Sequence, residues 1–451
     1  MLDTLIENLG CRQYHQDLLD QLKNSDRQIH ELIAKEFERQ QYCLQLIAAE
    51  NQCSREVLAA LGSIVQNKTT EGFPGERFHA GCQFVDKIEQ IAVTRACDAF
   101  GAEYANVQPH SGTAANQIVL TAVLDRGDKI LSLGLDQGGH LSHGANVSFT
   151  GKFFEVENYN VDRETLLLDY DAIGKKAQQF KPKLIICGAT AYSRTIDFGR
   201  FREIADSVGA YLLADISHTS GLVMGGAHPS PIDSAHFTTT STYKPGGPRG
   251  GLILMGKDYD RLVKLNGKDT PLYKLIDKAT FPGVQGTPYL NHIAAKSVFF
   301  KEARTDEYSL RQFAIIENAK RLARTLLELG YDVLTGGTDS HMVLINVANF
   351  KKGLTGLIAQ KCLEDCGIIV NMNKLPYDVK PATITSGVRL GTPIVTKNGM
   401  GSNEMDTLAQ IINSILIKVE ITNDSQYSLP ESFINDMQQR TETLCRQFPM
   451  A

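Results

Sequence analysis

Tryptophan is absent from the 451 residues, and no stretch offers the run of about 18 apolar residues that a membrane helix needs. Neither charge dominates. Lys+Arg at 46 against Asp+Glu at 51 leaves a net −5, which gives no bulk pull toward nucleic acid or anionic lipid. Cysteine is scarce: nine scattered positions are too few for a disulfide scaffold, and an odd count fits reduced thiols in a cytoplasmic enzyme. Cys362 and Cys366 are four apart on one face of an expected helix. No two further ligands stand near them in sequence, so they read as buried thiols and no metal is expected. Residues 1–45 are rich in Gln, Asp, Glu, Lys and Arg with no apolar signal core, so no secretory signal is expected. What is present is ordinary globular composition, 42% hydrophobic, at a length that predicts two or three domains.

Leu2, Leu5, Ile6 and Leu9, and then Ile29, Leu32 and Ile33, recur at helical spacing, which predicts a helical packing or dimer-forming arm over 1–65. From about residue 85, helical stretches separate short apolar runs at Lys129-Ile-Leu-Ser-Leu, Leu184-Ile-Ile-Cys, Tyr211-Leu-Leu-Ala and Leu252-Ile-Leu-Met. That alternation predicts an α/β domain over 66–310 with a mostly parallel sheet covered by helices on both faces. Ligands in such sheets bind at the carboxyl ends of the strands. A long helix from Tyr308 to Leu329 follows, then the runs His341-Met-Val-Leu-Ile-Asn and Gly367-Ile-Ile-Val-Asn and a helix around Met405–Val419. These predict a smaller α/β domain over 311–451, closing on a polar surface helix.

Five segments carry chemistry. In Phe237-Thr-Thr-Thr-Ser-Thr-Tyr-Lys-Pro-Gly-Gly-Pro-Arg-Gly-Gly, a β-branched run leads to Lys244 at the mouth of a Gly-rich loop. A lysine there can form a Schiff base with a carbonyl; an ordinary exposed loop lysine is the competing reading. Asp215, in Ala214-Asp-Ile-Ser-His-Thr-Ser-Gly-Leu, ends an apolar strand, where a carboxylate is costly unless paired. A pyridinium nitrogen, a metal or a helix end could pair it, and His218 follows three residues on. His110-Ser-Gly-Thr-Ala-Ala-Asn-Gln opens a helix with small residues, an anion site or a plain cap at Ser111, Gly112 and Thr113. Leu135-Asp-Gln-Gly-Gly-His-Leu-Ser-His presents His140 from a glycine pair after a strand, placed to stack on something flat. Thr385-Ser-Gly-Val-Arg-Leu-Gly-Thr-Pro sets Arg389 inside an apolar run, facing a carboxylate ligand or an internal acid.

Together the five segments resemble the serine hydroxymethyltransferase family, pyridoxal 5'-phosphate (PLP) enzymes of the aspartate-aminotransferase fold, fold type I. Further matches are Leu46-Ile-Ala-Ala-Glu-Asn, Glu71-Gly-Phe-Pro-Gly, Gly81-Cys-Gln-Phe-Val-Asp, Val107-Gln-Pro-His-Ser-Gly and Phe281-Pro-Gly-Val-Gln-Gly, so the resemblance runs from about Leu46 to about residue 420. It implies Lys244 as the Schiff-base lysine, Asp215 on the pyridine nitrogen and His140 on the ring. It implies Ser111, Gly112 and Thr113 at the phosphate, with Ser241, Tyr243 and Gly286 also at the cofactor. Thr190 and His218 would lie along its O3′ side. Arg389 would clamp the substrate carboxylate, with His79 and Asn373 on the substrate side. Glu71 would be a proton carrier that reaches the site, with the Phe281–Thr287 loop, from a neighbouring subunit. A homodimer or dimer of dimers is thus implied, with small-molecule amino acid and aldehyde substrates and no nucleic acid or membrane partner.

The departures are also legible. Tyr243 stands where the family has histidine before the lysine, and Pro245-Gly-Gly-Pro-Arg249 is one residue shorter than the family loop. Ala49 replaces a serine that binds the substrate carboxylate; Thr69 replaces a tyrosine; Phe78 and His79 replace a tyrosine pair. These changes fall on the substrate and folate positions and spare the cofactor positions. The expected activity is therefore Cα–Cβ cleavage or formation at a β-hydroxy amino acid, by a threonine aldolase or transaldolase. Alternatives are a hydroxymethyltransferase with tetrahydrofolate as co-substrate, and a PLP-binding relative without turnover that acts as a regulator.

Overall fold

The four apolar runs of the first large segment are strands of one sheet in the computed structural model, which describes residues 18–265 and 267–450. Seven strands form it: β1 (Tyr104–Asn106), β2 (Lys129–Leu133), β3 (Glu155–Tyr159), β4 (Leu184–Cys187), β5 (Tyr211–Asp215), β6 (Phe237–Ser241) and β7 (Gly251–Met255). Their order in space is β1-β7-β6-β5-β4-β2-β3. All run parallel except β7, which is antiparallel to both β1 and β6. The segment 242–250 joining β6 to β7 is too short for the crossover that parallel neighbours need. Every residue of β4, β6 and β7 is buried, as expected of strands covered on both faces. Alternate residues feed two cores. Ile185, Leu212 and Leu254 pack with Phe201 and Phe299, while Leu184, Ile186 and Leu213 pack with Ile118 and Leu120.

Among the helices around the strands are α1 (Arg27–Tyr42), α2 (Gln83–Phe100), α3 (Gly112–Val123), α4 (Leu290–Glu302), α5 (Asp306–Glu328), α6 (Gly356–Asp365), α7 (Ser402–Lys418) and α8 (Glu431–Gln447). Asp26 caps α1 by accepting from the Ile29 N–H, and no residue of α1 is buried. The helical positions expected at Leu2, Leu5, Ile6 and Leu9 lie outside the described residues. Helix α8, expected at the surface, does bury one face: Met437, Thr441, Leu444 and Cys445. The spacing of these four residues is helical, but they are diluted among polar neighbours, so composition alone hides the stripe.

A second, antiparallel sheet follows α5. It comprises β8 (Asp332–Val333), β9 (Met342–Asn346), β10 (Asn371–Asn373) and β11 (Gly387–Gly391), ordered β8-β9-β11-β10. Val343, Ile345, Val388 and Leu390 pack there against Leu326, Leu408 and Ile412. Leu44 and Leu46 belong to this same core, and Leu44–Gln45 pairs in parallel with Ile368–Ile369. The segment before the large sheet therefore packs into the core around the later one, and position 311 falls inside α5. Cys362 and Cys366 are buried in this core, and burial pushes both thiols up, Cys366 to about 12. No helix among the described residues is long and apolar enough to cross a membrane.

Candidate active site

The carboxyl ends of β4, β5 and β6 and the loop after β2 surround a cavity of about 280 Å³. Ser111, Gly112, Thr113, His140, Thr190, Asp215, His218, Ser241, Tyr243 and Lys244 all line it. Segments separated by more than 100 residues in sequence thus meet in one place. A larger cavity of about 520 Å³ lies behind Pro245 and Gly246, lined by Glu302, Arg311 and Lys397 among others. Lys244, Asp215, His140 and Arg389 are not among its lining residues, and its mixed charges favour no particular chemistry.

Asp215 ends β5 and is 8% exposed. Its Oδ2 accepts from Asn116 Nδ2 at 2.8 Å and lies 3.0 Å from His143 Nε2. Its Oδ1 accepts from the Ser217 N–H at 3.0 Å and the Ser217 hydroxyl at 2.6 Å. Burial raises the carboxyl, but the bonds from His143, Ser217 and Asn116 more than offset it, and the net direction is well below the usual carboxylate range. The cavity floor therefore carries a fixed negative charge. His140, His143 and Asp215 also form a group of three possible metal donors within 4.8 Å of one another. All three belong to the wall of this same cavity.

Opposite, α3 begins at the cavity wall. The Ser111 hydroxyl caps it by accepting from the Ala114 N–H at 3.0 Å. A Cβ at Gly112 would lie 3.3 Å from both the Ser241 Cβ and its backbone nitrogen, so glycine lets the helix end close onto β6. The unpaired N–H groups of such an end favour an anion.

Lys244 follows β6, and its Nζ donates to the Ser241 hydroxyl at 3.1 Å. Asn51 Nδ2 donates to the Lys244 carbonyl at 3.1 Å and pins the loop. The Tyr243 ring lies 4.9 Å from Lys244 Nζ and 4.0 Å from the Arg249 guanidinium. His140 Nδ1 accepts from the Ser142 N–H at 3.2 Å and lies 2.8 Å from the Ser142 hydroxyl. Burial pushes this imidazole down, so it presents as a neutral ring with its other nitrogen as donor. His218 is pushed down by burial and by the Lys244 charge; its Nδ1 has no partner among the described residues.

Arg389, on β11, is 6% exposed, and its Nη1 donates to the Thr190 carbonyl at 2.6 Å at the cavity edge. Its Nε donates to Asn371 Oδ1 at 3.2 Å. Burial pushes the guanidinium down to about 10, and among the described residues it makes no ion pair. A buried arginine without an acid calls for an anionic ligand.

Four expected residues stand elsewhere in this chain. A Cβ on Gly286 would lie 3.5 Å from Glu71 Oε1, so these two residues are neighbours, away from the cavity lining. His79 follows Phe78, whose ring packs on Phe281 at 5.4 Å. Asn373 sits on β10 and donates to the Lys374 carbonyl at 2.7 Å. Three residues of the site were not anticipated: His143, Asn116 and Ser217. The His-Leu-Ser-His spacing held the signal for His143, and Ser217 is two residues past Asp215. Nothing marks Asn116, which reaches Asp215 only because α3 lies across the strand ends.

A lysine after β6, a buried acid ending β5 and an anion-binding helix end, on a sheet of this order, define the fold type I class of PLP-dependent enzymes. The family model for serine hydroxymethyltransferase matches residues 22–412, and the chain belongs to that family.

Proposed function

We propose that the chain cleaves and forms the Cα–Cβ bond of a β-hydroxy amino acid and passes the glycine unit between aldehydes, as a threonine aldolase or transaldolase does. One observation carries the reading: Lys244 and Asp215 share a cavity whose edge is held by a buried arginine with no acidic partner among the described residues. PLP, when bound, supplies the electron sink for the carbon left by bond cleavage. The residues present fit it. Lys244 Nζ is the cavity's amine, Ser111, Gly112 and Thr113 offer N–H groups to a phosphate, and Asp215 is held ionised to face a protonated ring nitrogen. His140, Thr190, His218, Ser241 and Tyr243 form the walls. Arg389 takes the amino acid carboxylate. The departures at Ala49, Thr69, Phe78, His79 and Tyr243 support an acceptor other than folate. The retained Glu71 and Asn373 support the second reading, a hydroxymethyltransferase with tetrahydrofolate.

The purified chain should release acetaldehyde from L-threonine without folate. Activity on serine only with tetrahydrofolate selects the second reading, and bound cofactor with neither activity selects a non-catalytic role. Arg389→Lys should raise KM for the amino acid about 10–100-fold with a smaller change in kcat, because a lysine cannot reproduce the planar fork. Steady-state kinetics checks this, and an unchanged KM contradicts the assignment.

The reading includes a second copy of the chain. Glu71, Phe78, His79 and Gly286 lie together outside the chain's own cavity, with Phe78 75% exposed. They would complete the cavity of a partner subunit, with Glu71 moving the proton at the substrate's β-hydroxyl oxygen. Mixing inactive Lys244→Ala and Glu71→Gln chains should then restore activity. A random equal mixture makes half the dimers mixed, each with one intact site, or about one quarter of wild-type activity. No recovery after refolding the mixture contradicts a shared site.

A further inference from the structure

Lys296 lies in the middle of α4 between Ala295 and Ser297, all three buried. It is among the largest fully enclosed side chains, at 2% exposure. Its Nζ donates to three backbone carbonyls: Val107 at 2.6 Å, Gly251 at 2.8 Å and Pro109 at 3.3 Å. An ammonium has three N–H donors, whereas a neutral amine has two, so three carbonyls match the charged form. Burial works the other way and brings the group down to about 7. The acid whose field reaches it is Glu89, but that carboxylate is already taken by Arg77 at 2.5 Å and Gln108 at 2.7 Å. Among the described residues Lys296 makes no ion pair of its own. A buried cation left this way needs an anion nearby.

The surroundings say where. A Cβ at Gly250 would lie 2.4 Å from Lys296 Cε, and Gly250 lines the cavity. A Cβ at Gly251 would lie 2.1 Å from the Ser111 carbonyl oxygen. Lys296 therefore sits directly behind the wall made by residues 109–111 and 250–251, where the N-terminus of α3 opens. Its field also reaches His110 and pushes that imidazole down, after burial.

We infer that Lys296 is the buried counter-charge of a phosphate monoester bound at the start of α3, a positioning residue that acts through the 107–111 and 250–251 backbone without touching the ligand. The inference rests on the cofactor reading above and deepens it. The lysine turns three carbonyl oxygens away from the anion and adds a cation behind the helix end. Its effect is specific to the phosphate. A purely structural tie between the same segments would affect any cofactor alike.

The test uses the full chain stripped of cofactor and compares PLP with pyridoxal, which has the aldehyde but no phosphate. In Lys296→Met and Lys296→Gln, Kd for PLP should rise about tenfold or more while Kd for pyridoxal stays within about twofold. Equal weakening of both, or of neither, overturns the inference while leaving the cofactor reading intact. A wild-type chain that fails to bind PLP overturns both. If neither variant folds, ³¹P NMR of the wild-type holoenzyme decides. A phosphorus shift that stays constant between pH 5 and 8 supports a locked dianion, and a titration near the ordinary value of about 6 overturns it.

Discussion

Lys244→Ala should lower amino acid turnover by about 10³-fold or more and abolish the visible absorbance of bound cofactor, while leaving the fold nearly untouched. Among the described residues Lys244 is the only lysine lining the cavity, so it is the amine placed to meet the aldehyde. The loop does not depend on its side chain. Asn51 holds the Lys244 carbonyl, and the Gly246 and Gly247 N–H groups donate to the Tyr243 and Thr242 carbonyls. The side chain itself makes one hydrogen bond, to Ser241. Stability should thus change by only about 0.5 kcal/mol. Kinetics and a thermal melt on the same preparation check both halves. Residual turnover within tenfold of wild type contradicts the role of Lys244.

Asp215→Ala should have two large effects at once. It leaves four donors, from Asn116, His143 and Ser217, facing no acceptor inside a closed wall. Breaking a buried polar constellation of this kind costs about 3–5 kcal/mol, visible as a lower denaturation midpoint at unchanged m-value. It also removes the charge that holds a ring nitrogen protonated, so turnover should fall about 10²-fold or more in the protein that remains folded. Asp215→Asn separates the two. It keeps the volume and an acceptor but loses the charge, so turnover should fall more than stability does. A folded, fully active asparagine variant contradicts the electrostatic part of the account.

The sheet was readable in advance because its buried strands are short, apolar and spaced by helices, as at Leu184–Cys187 and Tyr211–Asp215. Strand direction was not readable. Leu252–Met255 has the same apolar texture as the parallel strands, and only the short link from β6 makes β7 antiparallel. The start of the long helix α5 is legible to within two residues because apolar positions repeat through three or more turns. Leu44 and Leu46 fall in sequence with the arm, and nothing local tells a residue which distant core it will enter.

The site was legible where residue type conflicts with context: a lysine among glycines, an acid ending an apolar strand, an arginine inside β11. Residues that support those groups carry no such conflict. Asn116 and Lys296 sit on helices where a polar residue is unremarkable, and only the packing of α3 and α4 against the strand ends turns one into a partner of Asp215 and the other into a clamp on three carbonyls. Tyr243 is a third case. Its identity is visible in sequence, but its contact with the Arg249 guanidinium depends on the path of the shortened loop.

The most direct measurement is borohydride reduction of the cofactor-loaded chain, followed by proteolysis and mass mapping. Cofactor mass fixed on the peptide at Lys244, and on no other, is the result this account predicts. Bound cofactor that fixes on a different lysine, or on none, contradicts it.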